Sequence, residues 1–218
     1  MNGCNQPTEQ EKDHMPRPTI ADTLLNDAYT ALGLSGADAA TKYDAIPDII
    51  AHLAVVNAAS RISEGTTGTI SERLCVLGLE QIQNTMPDFS YRRFGKDWKW
   101  IGDILVSGDP YDLAVSVKSY KAKERLLASG TGSLLTPTVG WGLFDDVAEW
   151  SADRTASYLY RGFIAIYMPE NTLAGIAADA RAITNINGKP LLRDVVDFPS
   201  DLTSVITVRT CRVDCRKL

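Results

Sequence analysis

Residues 102–119 read GDILVSGDPYDLAVSVKS, and two short apolar runs flank the sequence SGDP at 107–110. Leucine and β-branched residues are common in strands, and Gly, Asp and Pro are common in tight turns, so the pattern predicts a β-hairpin. Because side chains alternate between faces along a strand, Ser116 and Lys118 share one face of the second strand. If the strands pair as a hairpin, Asp103 at the start of the first strand converges with Lys118 at one edge of the sheet.

Helical and strand patterns follow one another in a definite order around this hairpin. Apolar residues at helical spacing predict helices over residues 19–34, 46–62, 70–84, 119–128 and 170–183. Short β-branched and aromatic runs predict further strands over residues 88–94, 161–168 and 203–209. Helices, then a compact β region, then alternating strands and helices predict an α/β (α+β) fold with a central mixed β-sheet flanked by helices.

The length of the chain and its first residues suggest its organisation. The 218 residues, of which 44% are hydrophobic, suffice for a domain with a full core. Residues 1–18 are rich in Pro, Gln, Glu and Asn and predict a flexible N-terminal arm, which leaves residues 19–218 as a single domain. Neither a secretory signal nor an apolar run of about 20 residues is apparent, so the expectation is a cytoplasmic protein without membrane contact.

Histidine and cysteine are scarce, and this limits the chemistry of the chain. His14 lies in the polar arm and His52 in an apolar helical stretch, so hydrolase and zinc sites built on several histidines are excluded. Cys211 and Cys215 have no second cysteine pair to complete four metal ligands, and they are expected to be reduced thiols. Chemistry is therefore expected from carboxylates, lysines and hydroxyls.

The distribution of charge is more informative than its sum. The formal net charge of -5 argues against a non-specific nucleic-acid binder. Residues 92–125, however, contain 8 basic and 5 acidic side chains. A local basic groove on an acidic protein can still approach a polyanion.

The hairpin segment resembles the core of the PD-(D/E)XK nuclease superfamily, which includes most type II restriction endonucleases. In that pattern an Asp begins one strand, and an acid-x-Lys motif follows on the next. Asp103 matches the first Asp, with Gly102 in place of the usual Pro, and Lys118 matches the lysine. Ser116 stands where the second acid is usual. Some restriction endonucleases also have Ser-Val-Lys here and supply the missing carboxylate from a neighbouring helix.

The resemblance implies catalysis with Mg2+ as cofactor. Asp103 would bind the metal, and Glu124, or Glu72 or Glu80 in the upstream helix, would supply the second carboxylate. Mg2+ takes oxygen ligands and keeps several waters. The bound metal would lower the pKa of a water and stabilise charge on the scissile phosphate. Lys118 would orient or deprotonate the attacking water.

Basic residues on both sides of the hairpin would suit contacts with the phosphates of double-stranded DNA. They are Lys121, Lys123 and Arg125 after it, and Arg92, Arg93, Lys96 and Lys99 before it. The first group could equally be a solvated helix face, and the second an exposed ribbon whose aromatic residues pack inward. Residues 129–142 predict a long loop, with Trp141 either at a DNA groove or anchoring a structural connection.

The resemblance implies a type II restriction endonuclease that acts as a homodimer, since a symmetric pair of subunits cuts both strands of a palindromic site most simply. Two alternatives stay open. One is a structure-selective nuclease of the resolvase or repair kind, and the other is a DNA- or protein-binding module whose degenerate site is marked by Ser116. In the plainest interpretation, Asp103 is a turn residue and Lys118 a solvated strand end.

Overall fold

The computed structural model describes residues 18–120, 126 and 136–218. Most of the predicted arm lies outside these residues, as does most of the predicted helix at 119–128. Four predicted site residues also lie outside them: Lys121, Lys123, Glu124 and Arg125. The structure therefore leaves these predictions untested.

Four helices precede the sheet. They are α1 (Ile20–Ala31), α2 (Ala39–Asp44), α3 (Ile46–Ser60) and α4 (Glu64–Thr85). The side chains of Thr19, Asp38 and Ser63 accept backbone N–H groups in the first turns of α1, α2 and α4. Such caps satisfy N–H groups that have no partner within the helix. Because Ser63 provides the cap, α4 begins at Glu64 and not near residue 70 as predicted.

A six-stranded mixed sheet lies at the centre, in the order β1-β2-β3-β4-β5-β6. The strands are β1 (Tyr91–Arg93), β2 (Ile104–Val106), β3 (Leu113–Lys118), β4 (Thr138–Gly142), β5 (Phe163–Met168) and β6 (Leu192–Asp194). β1, β2 and β3 pair antiparallel, and β3 to β6 pair parallel. The predicted hairpin is β2 and β3, with Ile104 opposite Val115. The predicted α/β fold with a central mixed sheet is confirmed.

The second half of the chain departs from the prediction in several places. The remaining elements are α5 (Ala152–Tyr160), α6 (Glu170–Gly175), α7 (Ala178–Arg181), α8 (Phe198–Ser204), β7 (Ile206–Thr207) and β8 (Arg212–Val213). The predicted helix at 170–183 is two short helices, α6 and α7. The prediction of a strand over 203–209 is wrong for its first two residues, which are the last two residues of α8. Only the two residues of β7 form a strand there, because β8 supplies a partner of the same length.

Trp141 lies in a buried strand and not in a loop. Residues 129–135 of the predicted loop lie outside the description, and its last five residues form β4, which is buried throughout between β3 and β5. The Trp141 indole N–H donates to the Tyr43 hydroxyl at 3.3 Å, and this hydroxyl donates to the Val195 carbonyl at 2.6 Å. Trp141 is thus a core anchor, and the alternative in which it reaches a DNA groove is wrong.

Two apolar clusters hold the sheet between them. From Ala165 onward the side chains of β5 alternate, with Ala165 and Tyr167 in the larger cluster and Ile166 and Met168 in the smaller, after an irregularity in the pairing of β4 with β5. The larger cluster contains most of the buried residues of α4 together with those of β2 and β3. α4 also packs on β3, and the cluster that joins them contains Val115 and Val117 of the hairpin. No helix within the described ranges is long and apolar enough to cross a bilayer.

Candidate active site

The hairpin brings Asp103 and Lys118 together at one end of the sheet. The Lys118 Nζ lies 3.2 Å from Asp103 Oδ2, and the two side chains are 14% and 15% exposed. The same carboxylate oxygen accepts the Val117 N–H at 2.7 Å. The Asp103 N–H donates to the Val115 carbonyl at 2.9 Å, so strand pairing continues past Ile104 and fixes Asp103 beside the end of β3. Both groups are therefore positioned by backbone pairing.

Ser116 is fully buried and contributes to the position of the lysine. The Lys118 ammonium donates to Ser116 Oγ at 2.7 Å and to the Val117 carbonyl at 3.0 Å. The ammonium thus has a hydroxyl, a carbonyl and a carboxylate among its acceptors. The buried Ser116 hydroxyl is therefore a direct hydrogen-bond partner of the lysine.

The neighbouring strand, β4, places glycines beside both residues. Ser116 is paired with Gly140 and Lys118 with Gly142. A Cβ at Gly142 would lie 2.8 Å from the Lys118 carbonyl oxygen and 2.5 Å from the Phe144 ring, closer than real Cβ contacts allow. In TVGWG, glycine alternates with larger residues, and this alternation could have indicated the strand. The Gly/Thr/Pro content of the segment instead predicted a loop.

Glu72 of α4 reaches the strand that borders this pair. Its Oε1 lies 3.4 Å from Lys99 Nζ, and its Oε2 lies 3.7 Å from the Arg93 guanidinium. Arg93 is the register partner of Ile104, the residue that follows Asp103. These two ion pairs were not foreseen from the sequence, because Glu72 and Lys99 are 27 residues apart in the chain.

The pKa of a buried thiol, that of Cys75, depends on both Asp103 and Glu72. Burial raises the pKa of the Cys75 thiol well above its usual value, and the negative charges of Asp103 and Glu72 raise it further. Glu80 has other neighbours: burial raises the pKa of Tyr29 and of Tyr91, and the Glu80 charge raises both further.

The carboxylates provide the donor chemistry that Mg2+ prefers. Among the described residues, hydrogen bonds reach Oδ2 of Asp103 and none reaches its Oδ1. Within the same residues no group of three or more His, Cys, Asp or Glu side chains could hold a metal ion. Mg2+ commonly uses one or two carboxylates together with waters and substrate phosphates. Asp103 and Glu72 each supply a carboxylate of this kind, and Glu124 lies outside the description.

Residues 91–101 form an exposed stretch that we term the basic segment. Arg92 and Lys96 are exposed, and the side chains of Arg93 and Lys99 are 51% and 52% exposed. Trp98 and Trp100 are 56% and 50% exposed. The interpretation in which these aromatic side chains pack inward is therefore wrong for both tryptophans. The segment offers cations and flat aromatic surface side by side.

Comparisons with known proteins identify the fold. No protein-family model matches the chain, and no curated protein matches its sequence. Among solved structures, the chain is similar to the restriction endonuclease PspGI in complex with its substrate DNA. The TM-score is 0.52 at 10% sequence identity, and the match covers 92% of this chain and 98% of the PspGI chain.

This chain has a restriction-endonuclease-like fold. The fold predicted from the hairpin motif is thereby confirmed. At 10% identity the likeness shows the fold alone. What particular residues of this chain do is therefore inferred from the geometry around Asp103 and Lys118.

Proposed function

We propose that this protein is a Mg2+-dependent, site-specific endonuclease that hydrolyses phosphodiester bonds in double-stranded DNA, as type II restriction enzymes do. The observation that carries the proposal is the ion pair of Asp103 and Lys118, with 3.2 Å between Nζ and Oδ2, at the end of the central hairpin. A carboxylate and an ammonium group held together suit the hydrolysis of a phosphodiester. The fold supports the proposal because the similar PspGI structure contains substrate DNA.

Each residue of the site has a distinct part in this proposal. Asp103 would hold Mg2+, with Glu72 or Glu124 as the second carboxylate. When bound, Mg2+ lowers the pKa of a coordinated water and offsets charge on the phosphate. Lys118 orients the attacking water or stabilises the phosphate as it becomes pentavalent. Ser116 is a positioning residue, because it acts through the ammonium of Lys118.

The basic segment is proposed to hold the DNA backbone. Its Arg and Lys side chains lie in β1 and in the residues that follow it, and they would contact phosphates, which fix the register of a protein on DNA. Lys121, Lys123 and Arg125 belong to the same proposal. A homodimer is proposed because two symmetric subunits would place one site on each strand of a palindrome.

Cleavage of plasmid and phage DNA by the purified protein tests the proposal. Reactions contain Mg2+ or EDTA, and Asp103→Ala and Lys118→Ala are compared with the wild type. Asp27→Ala and Lys189→Ala are matched controls, since both residues are exposed and lie outside the site. We expect discrete, metal-dependent fragments that disappear only in the two site variants, with circular dichroism unchanged.

Other outcomes separate the alternatives. Cleavage of branched or damaged duplexes irrespective of sequence would replace site specificity with structure selectivity. Intact DNA under every metal tried, with DNA binding retained, would refute hydrolysis and support a binding module. In that case the pair of Asp103 and Lys118 is a structural ion pair.

A further inference from the structure

Glu72, a candidate for the second carboxylate of the site, is paired with two cations of the basic segment. The Glu72 side chain is 19% exposed, and both of its oxygens are engaged, one by Lys99 and the other by Arg93. The two cations are more than half exposed. They therefore face solvent, while the acid that they hold is less exposed, and Arg93 lies opposite Ile104, the residue after Asp103.

We propose that the phosphate backbone of DNA binds Arg93 and Lys99 and thereby releases Glu72 to act as the second metal ligand. This inference rests on the proposed function and adds to it the regulation of metal binding by DNA. In the DNA-free protein the two cations compete with a metal ion for the Glu72 oxygens. In the complex, phosphate oxygens take over the cations and the carboxylate becomes available beside Asp103.

The exchange of partners is physically easy because the resting ion pairs are weak. Contacts of 3.4 and 3.7 Å between half-exposed cations and a carboxylate are long for charge-assisted hydrogen bonds, and water and salt screen them. A phosphate offers the guanidinium a planar, two-point partner. The high negative charge density of DNA also attracts cationic side chains to its phosphates.

The other ion pair of the site does not share this weakness. Lys118 and Asp103 are each about one-seventh exposed, and the ammonium has two further acceptors on its own strand. DNA phosphates therefore act first on the Glu72 pairs. The predicted consequence is thermodynamic linkage: DNA raises the affinity for metal, and metal raises the affinity for DNA by the same factor.

Titration of the full chain with Mn2+ in the absence of DNA tests the release directly. The paramagnetic resonance signal of free Mn2+ reports binding, and Mn2+ accepts the same oxygen ligands as Mg2+. We expect Arg93→Gln/Lys99→Gln to bind Mn2+ about tenfold more tightly than the wild type, because two weak competitors are removed. Adding Glu72→Gln to this variant should abolish the gain.

A matched control separates the release of Glu72 from the general effect of charge. Arg92→Gln/Lys96→Gln removes two positive charges from the same segment, and neither residue pairs with Glu72 in the described part of the chain. We expect its Mn2+ affinity to stay within about twofold of the wild type. An equal gain in this control, or a gain that survives Glu72→Gln, would overturn the proposal.

A second measurement uses the wild-type chain and a short DNA duplex. The duplex should raise the Mn2+ affinity of the wild type about tenfold and leave that of Glu72→Gln unchanged. An equal rise in both proteins would also overturn the release. DNA cleavage in Mg2+ is assayed in parallel. Its absence would refute the nuclease function, whereas the titrations without DNA would still decide whether Arg93 and Lys99 restrain Glu72.

Discussion

Two partly buried ion pairs lie at different positions along the sheet, and their surroundings differ. Lys118 and Asp103 join β3 to the residue before β2, at 3.2 Å. Arg193 of β6 and Asp201 of α8 are 2.6 Å apart, with side chains 10% and 30% exposed. Taken by itself, each is a cation and a carboxylate shielded from water.

The second pair is enclosed by other groups of the fold. Arg193 also donates to the carbonyls of Pro190 and Leu218, and the Tyr167 hydroxyl donates to Asp201 at 2.8 Å. These contacts tie β5, β6, α8 and Leu218 together. Burial and the charge of Asp201 raise the pKa of Asp197, so a further carboxylate lies beside the Arg193 pair.

The Lys118 pair instead lies at the end of the hairpin, and the exposed cation Arg93 is opposite the residue that follows Asp103. We expect the Arg193 pair to be structural because its arginine is tied to two backbone carbonyls, and the Lys118 pair to serve chemistry because it lies beside the exposed basic segment.

The largest expected effect is on catalysis at the first pair. Lys118→Ala should reduce the rate of DNA cleavage about 1000-fold, because the group that serves the attacking water and the charged phosphate is lost. Rates are measured on a plasmid with Mg2+, and circular dichroism checks the fold. A variant that kept more than about a tenth of the wild-type rate would place Lys118 with the structural pairs.

Next in size is the effect on stability at the second pair. Arg193→Ala removes the cation that pairs with Asp201. Because this leaves a partly buried carboxylate without its counter-charge, the free energy of unfolding should fall by about 3 kcal/mol. Urea titration measures the fall, and Arg181→Ala on an exposed part of α7 is the control. Cleavage per folded molecule should be unchanged. A large loss of activity without a loss of stability would contradict the division between the two pairs.

A smaller effect is expected at Ser116. Ser116→Ala removes the hydroxyl that lies 2.7 Å from the Lys118 ammonium, and kcat should fall roughly tenfold with KM unchanged. The control is Ser90→Ala, since the Ser90 hydroxyl pairs with that of Ser107 at 2.7 Å away from Lys118. Equal kinetics for both variants would remove Ser116 from the positioning of the lysine.

The smallest effect concerns a third pair, Asp214 with Arg216, near the end of the chain. The hydrogen bond from Arg216 lowers the pKa of Asp214 from 3.8 to about 2. A carboxyl group whose pKa is lowered by folding stabilises the protein at pH values above the pKa of the unfolded state. This contribution is lost as the pH falls through the pKa of the folded state. Wild-type stability should therefore fall between about pH 4 and pH 2.

Asp214→Asn should lose this part of the acid dependence without any change in cleavage. Thermal unfolding measured from pH 7 to pH 2 would show the two proteins converging in stability toward the acid end. The difference is small because the Arg216 side chain is 69% exposed and solvent screens the pair. Parallel curves for the two proteins would show that Asp214 does not contribute.

The hairpin was predictable because its determinants are local. Alternation along β3 and the turn between the strands place Ser116, Lys118 and Asp103 before any distant contact is considered. Helices α1 and α3 are likewise predicted by apolar spacing within their own residues. The alternation, the turn and the motif were sufficient to predict the restriction-endonuclease-like fold.

Distant partners decided the rest. β4 is a strand because β3 and β5 pair with it on both sides, although its Gly and Thr content is typical of a loop. Glu72 lies beside Arg93 and Lys99 because α4 packs on the sheet, and no local pattern encodes that approach. The amino-acid sequence thus determined the hairpin and its catalytic candidates, since backbone preference and alternation act over a few residues. Only the tertiary structure decided which charges meet across the chain, since packing between elements sets those distances.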